Sequence, residues 1–194
     1  MRQEKYCKEM VINTVEKLVE DTCKLESNIF GYGIWSHHII YVVKYAKMLA
    51  EQFNADGEIV VIASLLHDYA GILNKKYHED HHIYGAKFAE EILTKLNYPN
   101  NKIEKIKQCI LSHRGSVLVE KKTPEEICVA SADAMAHIDQ VVPILYARYI
   151  KFGESIEEGK LWTRKKLDRT WNKLCPEAKN IIKEKYLSAK KVLE

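Results

Sequence analysis

Metal-capable side chains in this chain stand where apolar stretches stop. The segment "VVIASLLHDY" is among the most apolar in the sequence, and it runs into His67 and Asp68 side by side. His38 opens "HIIYVVKYA", His81 lies just ahead of "IYGAKFAEEIL", and His113 closes "IEKIKQCILSH". Asp133 sits in "VASADAMAHI", among small and apolar neighbours, where an unpaired carboxylate would be costly. Imidazole and carboxylate together suit divalent manganese, iron, zinc, nickel, cobalt or magnesium, and the imidazole biases the choice to transition metals. Helical proteins build such sites from side chains pointing inward on facing helices. Ligands near helix ends collect in one mouth, so such a helix is apolar as core and polar where an ion meets its end. Adjacent positions on a helix do not face the same way. His67 and Asp68 therefore share an ion only off the helix end or across a distorted last turn, and Gly71 shortly afterwards favours a distortion.

The elements that must carry these residues read as helices. Apolar residues recur at helical spacing almost everywhere, and no convincing alternating strand exceeds a few residues. Met10, Val11, Val15, Leu18 and Val19 form one stripe, and Ile39, Val42, Val43, Ala46, Leu49 and Ala50 a second. After the buried segment carrying His67, Ala86, Ala89, Ile92 and Leu93 form another. "NIFGYGI" reads as a loop, Asn54, Asp56 and Gly57 as a break, and "NYPNN" as a turn before a helix starting near Lys102. Thr123, Pro124 and Glu126 predict a capping box that opens the helix containing Asp133. Helical spacing continues through Val142, Leu145, Ile150, Trp162, Leu167, Trp171, Ile181, Ile182 and Tyr186, with Gly153 and Gly159 flanking a short connection. The pattern predicts one all-α domain over 1–194 whose last third packs on the first two thirds.

Composition narrows the partners. A hydrophobic content of 46% over 194 residues suits one globular core. Charged residues make up 29%, yet the net charge is only +3 and the basic residues are interspersed with acids. That gives no track for long nucleic acid and no membrane-facing patch. The charged start "MRQEKYCKEM" lacks the apolar segment of a secretory signal, and no apolar run reaches the ~18 residues of a membrane span. The expectation is a soluble cytoplasmic protein. Five widely spaced cysteines without a C-x-x-C pair read as free thiols.

The order His38, then His67-Asp68, then Asp133 resembles the HD-domain superfamily of metal-dependent phosphohydrolases. "HHIIYVVKYAKMLAEQF", "EIVVIASLLHDYAGI", "HHIYGAKFAEEIL", "ILSHRG" and "ICVASADAMAHI" resemble that family's segments in their order, over roughly residues 25–140. The third of these places His81 four residues before Gly85. Residues 141–194 match nothing in the resemblance. It implies an all-helical bundle of the HD type with extra C-terminal helices, and one divalent ion held by His38, His67, Asp68 and Asp133. Two-ion relatives fill places like His81 and His113 with ligands and bridge with the HD aspartate, so one or two ions are expected. Both histidines could instead contact phosphate, and His82 competes with His81.

Plainer roles compete at several positions. His37, His78, His82 and His137 read as solvent-facing or supporting groups. Arg114 either clamps a phosphate or is a surface arginine. Lys75 and Lys76 read as solvated loop charges, Trp162 and Trp171 as packing, and nothing orients Tyr69. The leading expectation is hydrolysis of a phosphate ester or anhydride, in a nucleotide or other small phosphorylated metabolite, by attack of a metal-activated water. Asp68, His113 and Arg114 are the candidate catalytic residues. A di-iron oxygenase acting on a small molecule and a non-catalytic metal- or nucleotide-binding sensor are the alternatives. Guanosine polyphosphate hydrolysis ranks below them, because "HDYAGILNKK" supplies lysines where such relatives carry an acidic pair. A homo-oligomer is compatible with the sequence.

Overall fold

The computed structural model describes residues 7–114 and 120–194. The first six residues of the polar start, and residues 115–119 within the HD-like stretch, lie outside the described residues. The described residues are all-α, in this order: α1 (Lys8–Cys23), a π-helical turn (Trp35–Ile39) running into α2 (Ile40–Phe53), α3 (Gly57–Leu66), α4 (Tyr69–Leu73), a 3-10 turn (Lys75–Tyr77) and α5 (His81–Lys95). There follow α6 (Asn100–Ser112), α7 (Pro124–Asp139), α8 (Val141–Tyr146) with a second π turn (Ala147–Lys151), α9 (Ile156–Lys173) and α10 (Pro176–Val192).

A helix that is apolar all round must be covered all round. The α3 segment "IVVIASLL" obeys this: every residue from Glu58 to Leu66 is buried, and α1, α2, α6 and α7 surround it. α7 is lined by Ala130, Ala132, Ala134 and Ala136, all buried, which lets α2 approach it closely. α5 and α6 pack side by side, and α9 and α10 lie against α7.

Local chemistry sets the boundaries. Asn54 takes the left-handed conformation (φ 51°) after α2, and the Asp56 carboxylate accepts from the Glu58 and Ile59 amides to start α3. α6 begins at Asn100 after Pro99, a little earlier than the sequence pattern predicts. Thr123 caps α7 by accepting from the Glu126 amide, but the Glu126 carboxylate reaches back to the Lys122 amide, so the predicted box is closed one residue further out. A complete capping box occurs instead at Ser155 and Glu158, which start α9. Gly159 lies inside the first turn of α9 rather than at the edge of a connection, and a side chain there would run into Tyr149. Among the described residues no single helix is long and apolar enough to cross a membrane.

Candidate metal centre

The fold brings His38, His67, Asp68, His81, His113 and Asp133 together. α3 stops at Leu66, and Asp68 takes φ −104° and ψ 3°, so the chain breaks between α3 and α4 at the His67-Asp68 pair. This break is the distortion that lets neighbouring residues turn toward one point. His38 lies in the π turn that begins α2, a backbone form concentrated at functional sites. The pairing of α2 with α7 brings Asp133 to it. α5 and α6 run antiparallel, so the first residue of one, His81, meets the residue capping the other, His113.

The resulting contacts form two groups joined by one carboxylate. Nε2 of His38 and Nε2 of His67 lie 3.2 Å apart, and each is 3.4 Å from Oδ2 of Asp68. Oδ1 of Asp133 lies 3.6 Å from His38 Nε2 and 3.9 Å from His67 Nε2. On the other side, Nε2 of His81 and Nε2 of His113 are also 3.2 Å apart, at 3.4 and 3.7 Å from Oδ1 of Asp68. Asp68 thus turns one oxygen to each histidine pair. His67 is fully buried, while a quarter of the Asp68 side chain is exposed, so the centre opens at Asp68.

Three of the histidine tautomers are fixed from behind. Nδ1 of His67 faces the Ser64 carbonyl at 2.8 Å, Nδ1 of His81 the His78 carbonyl at 2.8 Å, and Nδ1 of His113 the Ile110 carbonyl at 2.6 Å. A carbonyl only accepts, so each Nδ1 carries a hydrogen and the neutral ring leaves Nε2 bare. Bare nitrogens facing each other need a cation between them. Ligand atoms about 2.1 Å from a common ion stand about 3.0–3.4 Å apart for octahedral to tetrahedral angles. The spacings here match that range or exceed it slightly, and His38, His67 and Asp68, and separately Asp68, His81 and His113, could each hold an ion. The donor set therefore fits divalent metal.

Electrostatics agree. Burial alone would raise the carboxyl of Asp68, but His67, His113 and His38 hold it well below the usual range. Burial is likewise outweighed at Asp133 by Lys173, His137, His67 and His38. Burial disfavours a charged His67, yet the Asp68 carboxylate beside it and then Asp133 overcome that and raise the ring to about 9. In the metal-free protein a proton thus occupies the place of a cation. Burial, followed by the His67 charge against the pull of Asp68, lowers His113 to about 4.

Other positions resolve unevenly. His137, read as a supporting group, has Nε2 3.2 Å from Asp133 Oδ1 and stacks on His38 at 4.5 Å between ring centres, and with those two it forms a third potential ligand group. His82 is buried and joins none of the potential ligand groups among the described residues, and its lowered pKa follows from that burial. Arg114 engages Glu79, through its carbonyl and, at 3.9 Å, its carboxylate, in the segment between His78 and the start of α5 at His81. Lys75 and Lys76 are exposed, and Tyr69 packs edge-on against Phe88. Sequence reasoning missed Lys166 and Lys173 of α9, whose charges act on Asp133, Lys173 through a direct ion pair. Their sole signal is a spacing of seven residues in a helix already rich in lysine.

The sequence model of the HD domain matches residues 35–138. Ribonuclease Y of Rubrobacter xylanophilus is 27% identical over 107 residues, which is 55% of this chain but only 19% of that protein. The crystal structure of the Lin1889 protein from Listeria innocua superposes with a TM-score of 0.71 at 20% identity, covering 96% of this chain and 93% of that one. YpgQ of Bacillus subtilis gives 0.73 at 17% identity, covering 96% and 95%, and its complex with ADP gives 0.67 at 18%, covering 91% and 90%. At these identities the structures establish a shared fold.

Proposed function

The chain belongs to the HD-domain family, whose members are generally metal-dependent hydrolases, and on that premise we propose that it hydrolyses a phosphate ester or anhydride of a nucleotide or similar small metabolite. The observation that carries this reading is the Asp68 carboxylate with one oxygen turned to the Nε2 atoms of each histidine pair. In it, His38, His67, Asp68 and Asp133 hold one divalent ion, and His81, His113 and Asp68 hold a second. Such an ion supplies Lewis acidity, which makes water a nucleophile near neutral pH and offsets phosphoryl charge.

The chain's own residues supply the rest. Asp68 is held ionised and partly exposed, so its carboxylate orients the attacking water by accepting a hydrogen bond. His113 stays neutral above about pH 4, so its Nε2 serves as a ligand atom throughout the physiological range. A guanidinium has five N–H donors; Arg114 keeps some of them beyond Glu79 for a phosphate oxygen at the His113 end. Support for a nucleotide comes from YpgQ, whose fold this chain shares and which binds ADP. The name of Ribonuclease Y raises RNA, but a net charge of +3 spread among acids provides little of the phosphate-neutralising track that long RNA requires.

The test is phosphate release from a panel of nucleotides and phosphate esters, without oxygen, in manganese or magnesium. Asp68→Ala abolishes turnover and lowers bound metal. His113→Ala slows turnover by about a hundredfold, the scale of a lost ligand or supporting contact, and retains at least one ion. Two irons with oxygen consumption and no phosphate release would favour the oxygenase. Nucleotide binding without turnover would favour the sensor. Full activity in Asp68→Ala would refute the site.

A further inference from the structure

Asp133 and His137 stand four residues apart on α7, the spacing that puts two side chains on one face of a helix. Their contact is close. Oδ1 of Asp133 lies 3.2 Å from Nε2 of His137, nearer than to Nε2 of His38 at 3.6 Å or of His67 at 3.9 Å. The other oxygen of Asp133 is taken, since Oδ2 pairs with the Lys173 ammonium. The His137 ring stacks on the His38 ring, with centres 4.5 Å apart and planes tilted by 16°. One ligand atom from each of His38, Asp133 and His137 lies within 4.8 Å of the other two. Two imidazoles with one carboxylate form a donor set that holds zinc or iron(II) and leaves positions open.

The plain reading of the 3.2 Å contact is a hydrogen bond from the His137 Nε2–H to Oδ1. The surroundings of the ring allow more. A carbonyl lies behind Nδ1 of His67, His81 and His113, but among the described residues none lies behind Nδ1 of His137. About a quarter of the His137 side chain is also exposed. Its proton can therefore sit on Nε2 and donate to Oδ1, or sit on Nδ1 and leave Nε2 bare for an ion. A neutral imidazole nitrogen offers one lone pair. Nε2 of His38 thus serves one ion at a time, so an ion beside His137 excludes an ion between His38, His67 and Asp68.

We propose that His137 is a metal ligand: with His38 and Asp133 it forms a second seat for the first ion, reached by exchanging His67 and Asp68 for His137. The seat rests on the metal centre of the phosphohydrolase reading and adds a residue to it. It takes a borderline transition ion such as zinc, because two of its three donors are imidazole nitrogens. The three ligand groups then hold no more than two ions at once.

The experiment is anomalous diffraction from zinc-loaded crystals of wild type and variants. Wild type gives a peak between His38, His67, Asp68 and Asp133. His67→Ala shifts that peak away from Asp68 into contact with His38, Asp133 and His137, and adding His137→Ala abolishes it. In the same background His137→Gln keeps an N–H donor for Asp133 but has no imidazole nitrogen, so the peak stays lost. A peak restored by glutamine shows a supporting hydrogen bond and overturns the ligand. Asp68→Ala, at a partly exposed position, gives the same displacement if His67→Ala does not fold. No peak beside His137 in either variant, or one that survives His137→Ala, overturns the seat and leaves the four-ligand position standing. A wild-type peak beside His137 alone upholds the seat and overturns the four-ligand position. Wild-type crystals with a peak at neither place overturn both.

Discussion

His67 concentrates the account at the scale of one residue. Its Nδ1 is committed to the Ser64 carbonyl and its Nε2 faces His38 and Asp68. Its pKa of about 9 in the metal-free fold exceeds the ~6.5 of an unfolded chain. The proton it holds therefore stabilises the metal-free fold fully below pH ~6.5, and that contribution disappears as pH rises through about 9. An ion needs the same nitrogen bare, so proton and metal compete. Apparent metal affinity should rise about tenfold per pH unit between pH ~7 and ~9 and then level off, with about one proton released per ion. Calorimetric titration in buffers of differing ionisation enthalpy measures both quantities; affinity flat across that range would contradict the cage. His38, His67, Asp68, His81, His113 and Asp133 were readable because polar groups at the ends of apolar runs need a reason to be there. Lys166 and Lys173 were not, because in a lysine-rich helix nothing in the sequence separates a buried ammonium from solvated ones. His137 was legible only once Asp133, one turn earlier on the same helix, had a role.

At the scale of elements, the centre depends on two departures from regular helix, the π turn at Trp35–Ile39 and the break after Leu66. Periodicity revealed the helices but not these departures, since both keep the apolar spacing on either side. The sequence nevertheless carried the difficulty that demanded a break, because adjacent His67 and Asp68 cannot share one helical face. Gly85 shows how a neighbouring helix is fitted to that break. A Cβ on Gly85 would lie 3.2 Å from Ile110 Cγ2 and 3.5 Å from the His67 carbonyl oxygen. Ile110 is fully buried and has little room to retreat. Alanine gains helix propensity worth about 1 kcal/mol over glycine, which offsets much of a modest clash. Valine has no such compensation. Gly85→Val should cost about 1–3 kcal/mol by overpacking and separate His81 from Asp68, so thermal denaturation and metal content should fall together. A variant with unchanged Tm and full metal would show that close approach of α5 to the α3 end is unnecessary.

Across the whole molecule, the centre draws on α2, α3, α5, α6 and α7, and α9 closes its Asp133 side. The all-α class and the order of the segments were legible, since helical spacing recurs throughout and the chain must cover an α3 that is apolar on every face. The contribution of residues 141–194 was not, because their role comes from how α9 lies along α7, which spacing within either helix does not encode. The most direct test of the central claim is anomalous diffraction from crystals of the manganese-loaded protein. The account predicts a peak bounded by His38, His67, Asp68 and Asp133, and a second between His81, His113 and Asp68 when both sites are filled. A manganese-loaded crystal with no peak at the first of these positions, or with its peak elsewhere in the molecule, would contradict it.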